Sequence, residues 1–142
     1  MAHAAPASGM RRTPDVFSER VHTVADWAVP VGLGLVYGYW AAANRRDGGP
    51  ITGWNVLFGF VAAAVFAALW IAVHALAPHM KRELHALLWT AFAGIAFGFL
   101  YSQTGATALR STGMALAIAA SVFAVLFYRY YTHEDAEGHR IR

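Results

Sequence analysis

Apolar residues in this chain run in long blocks instead of alternating with charged ones. No Asp, Glu, Lys or Arg occurs between Asp26 and Arg45, between Asp47 and Lys81, between Glu83 and Arg110, or between Arg110 and Arg129. A helix rises about 1.5 Å per residue, so about 20 apolar residues cross a hydrocarbon layer about 30 Å thick. Each block reaches that length. The pattern predicts an all-α, polytopic integral membrane protein with four transmembrane helices over residues 26–44, 54–77, 84–101 and 113–131.

A soluble four-helix bundle would turn a charged face to water. Segments such as Val61-Ala-Ala-Ala-Val-Phe-Ala-Ala-Leu-Trp70 have no such face. In lipid the backbone must satisfy its own polar groups, which helices do and open sheets do not. The flanks agree. Trp27, Tyr39, Trp40, Trp54, Trp89, Tyr101, Tyr128, Tyr130 and Tyr131 gather mostly near the expected ends, where an aromatic belt meets the headgroups. Turn residues fill Arg45-Arg-Asp-Gly-Gly-Pro50, and Pro78 stops the second helix.

Before the first block, Thr13 as N-cap, Pro14 and Asp15 read as a helix start. Phe17, Val21 and Val24 then give residues 13–25 an amphipathic, juxtamembrane character. Thr23-x-x-Asp26 fits a second helix-start pattern. Residues 1–12 read as a flexible tail, with Met10 as an alternative start to Met1, and residues 132–142 as a cytoplasmic tail. The Arg11-Arg12 pair lacks the nearby apolar region and cleavage site of a targeting signal.

Composition sharpens this picture. The chain is 58% hydrophobic and 13% charged, against roughly 45–50% and about 25% in soluble domains. Without cysteine, thiolate metal sites, disulfides and thiol nucleophiles are excluded. Ten arginines against one lysine, with abundant alanine, suggest a GC-rich bacterial gene. Eight of the eleven basic residues (Arg11, Arg12, Arg20, Lys81, Arg82, Arg129, Arg140 and Arg142) fall on one side of the expected topology. Arg45, Arg46 and Arg110 fall on the other. The positive-inside rule then places both termini in the cytoplasm, and the imbalance argues against dual insertion.

Small residues supply packing faces. Gly34-x-x-x-Gly38 and Gly94-x-x-x-Gly98 are GxxxG patterns, matched by Gly59 and Ala63 in the second block and by Gly113 and Ala117 in the fourth. The resemblance of Gly34-Leu-Val-Tyr-Gly38-Tyr to Gly94-Ile-Ala-Phe-Gly98-Phe, and of Ala64-Val-Phe-Ala-Ala-Leu-Trp70 to Ser121-Val-Phe-Ala-Val-Leu-Phe127, points to two tandem helical hairpins.

Candidate chemistry is sparse. No ionisable Asp, Glu, Lys or Arg occupies the middle of a block, which removes the usual carriers of proton relay and ion passage. His74 and His85 fall near the same end of neighbouring helices, where two imidazoles could hold haem or a divalent metal, though their spacing matches no established ligand motif. Lys81, Arg82 and Arg129 are candidates for lipid headgroup contact. Tyr37, Asn55, Thr90 and Ser121 are expected to bond within the bundle. Gln103, Thr104, Gly105 and Thr107 make a polar outer loop. No nucleic-acid motif is present, and no nucleophile–base pair or paired carboxylates suggest an enzyme. The expectation is a small accessory or scaffold subunit in the cell membrane, associating as a homo-oligomer or within a larger complex. The alternatives are a small oligomeric channel or transporter, and then a histidine-ligated membrane haem or metal protein.

Overall fold

Short, locally bonded turns fold the apolar blocks back on one another. The computed structural model describes residues 18–133. They form α1 (Glu19–Arg46), α2 (Gly53–Leu76) running into a 3-10 turn (Ala77–His79), α3 (Arg82–Ser102) and α4 (Ala108–His133). Apart from the connections, every described element is helical.

The first turn uses Asp47 and Gly48 in the left-handed region, with φ of 46° and 78°. The Arg46 guanidinium donates to the Gly49 carbonyl at 2.9 Å, and Thr52 caps α2 by accepting from the Asn55 amide at 3.2 Å. At the second turn Pro78 sits in the 3-10 segment. The third turn is held by Thr104, which donates to the Tyr101 carbonyl at 2.8 Å, and by Thr107, which accepts from the Arg110 amide at 3.3 Å.

Three helical stretches are long and apolar enough to cross a membrane: Gly53–His79, Arg82–Ser102 and Ala108–His133. The 28-residue α1 is not among them. It has the length, but Trp27, Tyr37, Tyr39, Trp40, Pro30 and three glycines dilute the hydropathy of its uncharged stretch. Length without charge does not by itself make the first block as apolar as the other three.

The amphipathic approach is not a separate element. α1 runs unbroken from Glu19 through Asp26, with Ser18 as its cap residue. Thr23 lies inside the helix, its hydroxyl donating to the Glu19 carbonyl at 3.1 Å, so Thr23-x-x-Asp26 marks no helix start. Thr13, Pro14, Asp15, Phe17, Met10 and the C-terminal tail beyond His133 lie outside the described residues.

The helices pack as two hairpins. α1 lies along α2 and α3 along α4, while the hairpins meet through fewer approaches of α3 to α1 and α2. Among the described elements α4 packs on α3 alone. The core is built mostly from small side chains: Ala41, Ala42, Ala62, Ala63, Ala77 and Ala86 are buried with Val73, whereas many Leu, Val, Trp and Phe residues are exposed along the helices. That inversion suits a bundle whose solvent is hydrocarbon, where close backbone packing replaces the hydrophobic drive between helices.

Candidate functional site

Glycine decides how closely the helices approach within each hairpin. A Cβ on Gly34 would come within 2.7 Å of the Ala63 carbonyl oxygen. One on Gly38 would collide with the Gly59 carbonyl and reach the Ala63 Cβ at 2.8 Å. In the second hairpin, a Cβ on Gly94 would meet the Ala119 Cβ at 2.9 Å, and one on Gly98 the Ala115 Cβ at 2.7 Å. Gly34, Gly38, Gly59, Ala63, Gly94 and Gly98 thus all lie in helix–helix seams.

The α4 side of the second seam differs from the sequence expectation. Ser111, Ala115 and Ala119 face α3. A Cβ on Gly113 would meet no described atom within 4 Å, and Ala117 is exposed. Nearly every side of α4 carries small residues, so composition alone could not choose between two stripes about 160° apart around the helix.

Polar side chains tie the hairpins together. The Tyr37 hydroxyl donates to the Ala96 carbonyl at 2.7 Å, and the Asn44 amide to the Leu100 carbonyl at 3.3 Å, both linking α1 to α3. Asn55 closes the first hairpin by donating to the Ala42 carbonyl at 2.9 Å. Ser121 instead bonds within its own helix, to the Ala117 carbonyl. The hydroxyls of Thr90 and Ser111 are buried with no hydrogen-bond partner among the described residues.

Aromatic rings fill the space between the hairpins. Tyr37 stacks on Phe66 with centroids 4.5 Å apart, Phe66 lies 5.2 Å from Phe92, and Trp70 meets Trp89 edge-on at 5.1 Å. His74 continues the chain, 6.3 Å from Trp89. His85 takes a different partner, stacking on Tyr130 of α4 at 4.4 Å. The two histidines proposed from sequence as a pair are thus each packed on a separate aromatic ring. No group of three or more His, Asp or Glu suited to a metal ion occurs among the described residues.

Among the basic residues, the Arg82 guanidinium lies over the Tyr131 ring at 4.5 Å, with its Nε 3.7 Å from Glu83. Lys81 and Arg129 are exposed. At the opposite end of the helices Arg45 covers Phe58 at 4.4 Å and Arg110 approaches Tyr101 at 5.8 Å.

Together these features define a helical protein of two glycine-seamed hairpins, with three helices apolar enough to cross a membrane. No protein-family model, curated protein or solved structure matches the chain.

Proposed function

We propose that this chain is a four-pass membrane protein acting as a non-enzymatic accessory or scaffold subunit, with both termini cytoplasmic. Three of the spans are α2, α3 and α4; the fourth is α1. Support for α1 comes from its seam with α2. Gly34 and Gly38 lie in backbone contact with Ala63 and Gly59, so α1 follows an apolar helix through the same depth.

The observation that carries the subunit reading is the free side of α4. Only Ser111 of this helix is buried. Gly113, Ala117, Ala120 and Ala124 lie on an exposed face, spaced so that another helix backbone could approach closely. A second copy or a partner subunit would cover it. In mild detergent the full chain is expected to run as an oligomer or in a complex of fixed stoichiometry, and Gly113→Leu with Ala117→Leu should release it as a monomer. Solute or ion flux through liposomes containing this chain alone would instead favour a channel or transporter.

A further inference from the structure

The two hairpins use the same seam, so their ends can be compared residue by residue. Gly34 and Gly38 correspond to Gly94 and Gly98, while Gly59, Ala63 and Ala67 correspond to Ser111, Ala115 and Ala119. In this register Ala25 stands where α3 has His85, and Pro78 stands where α4 has Tyr130. The second hairpin closes its end internally, by stacking His85 on Tyr130 at 4.4 Å. The first hairpin has no such ring pair at its end, and Ala25 there borders a groove of about 450 Å³ lined by Asp26, Trp27, Pro30, Trp70 and His74 among others.

The groove is rich in acceptors for a cation. Asp26 supplies a carboxylate, and among the described residues it has no hydrogen-bonding or ion-pairing side-chain partner. Pro30 has no amide hydrogen, so the Asp26 carbonyl one turn earlier receives no helical i+4 bond. Asp26, which lines the groove, thus carries both a carboxylate and a carbonyl without its helical partner. Trp27 and Trp70 add indole faces, which attract ammonium groups, and Val29, Ile71 and Ala75 make the rest of the wall apolar.

We propose that this groove binds a primary ammonium group carried on an apolar chain, with the N–H bonds going to the Asp26 carboxylate and carbonyl. A primary ammonium has three donors to give, whereas a quaternary one has none. The chemistry is available from an aminophospholipid of the surrounding bilayer or from a free long-chain amine. The inference rests on the membrane reading of α1, because the groove must lie at the level of lipid headgroups.

The test uses the full-length chain in nanodiscs containing equal parts of phosphatidylethanolamine, phosphatidylcholine and phosphatidylglycerol. Lipids retained by the ejected protein are counted by native mass spectrometry. Phosphatidylethanolamine should be enriched about tenfold over phosphatidylcholine, the ratio expected for one charge-assisted hydrogen bond. Asp26→Asn should abolish the enrichment, and Glu83→Gln should not. In a second arm, detergent-solubilised protein is offered dodecylamine or dodecyltrimethylammonium. Preference for dodecylamine without phosphatidylethanolamine enrichment would assign the site to free amines. No preference in either arm, or enrichment that survives Asp26→Asn, would overturn the proposal while leaving the membrane reading intact. Failure of the chain to enter nanodiscs at all would overturn both.

Discussion

The Tyr37 hydroxyl on α1 donates to the Ala96 carbonyl on α3 at 2.7 Å, joining the two hairpins at a point where few backbones approach. The same ring stacks on Phe66 of α2, so one side chain touches three helices. Tyr37→Phe keeps the stacking and removes the bond. Interhelical hydrogen bonds in membrane proteins average about 0.6 kcal/mol and reach about 1.7 kcal/mol. Thermal unfolding in detergent is expected to show a loss within that range, with greater protease sensitivity in the Pro78–Arg82 connection. An unchanged midpoint would mean the bond holds nothing.

The seams make a sharper contrast. Gly38→Ala forces a methyl group against the Gly59 carbonyl, a rigid backbone atom, and overpacking of this kind costs about 1–3 kcal/mol. Gly113→Ala adds the same methyl group where nothing lies within 4 Å. The stability of the isolated chain should therefore fall for the first and stay level or rise slightly for the second, as alanine is the better helix former. Equal effects would place the seams elsewhere.

Thr90 gives the opposite sign. It lies one turn before Gly94 on α3, and its hydroxyl is buried with no partner among the described residues. An unsatisfied polar group costs about 1–3 kcal/mol, and valine has nearly the same shape. Thr90→Val is expected to raise the unfolding temperature. A lower one would show that the hydroxyl has a partner, such as water, in the folded protein.

Much of this arrangement is legible in the sequence. Charge-free blocks locate the helices because lipid tolerates no exposed polar face, and the two GxxxG patterns mark the α1 and α3 seams. The face of α4 is not legible for a geometric reason. Matching Ala64–Trp70 to Ser121–Phe127 aligns α2 with α4 five residues away from the register that packing selects. Gly113 and Ala117 lie two residues from Ala115 and Ala119, a rotation of about 200° around the helix, so they face away from the seam that Ala115 and Ala119 occupy. The partners of His74 and His85 are hidden similarly, because ring contacts depend on rotation that spacing does not specify. The groove at Asp26 is visible only once α1 is packed on α2.

His85 offers a check on that comparison. Its ring fills the second hairpin's end by stacking on Tyr130. His85→Ala should open a cavity there resembling the one beside Ala25, and Ala25→His should fill the natural groove and reduce lipid retention. Retention unaffected by Ala25→His would show that the two ends are not equivalent.

Whether α1 crosses the membrane is the hinge of the functional reading, and the absence of cysteine makes it directly measurable. Single cysteines introduced as Ser18→Cys, Gly48→Cys, His79→Cys and Gly105→Cys would each be the chain's sole thiol. In intact cells, a membrane-impermeant maleimide should label Gly48→Cys and Gly105→Cys, and should reach Ser18→Cys and His79→Cys only after the membrane is opened. Labelling of Ser18→Cys and Gly48→Cys from the same side would contradict a spanning α1 and reduce the protein to three passes.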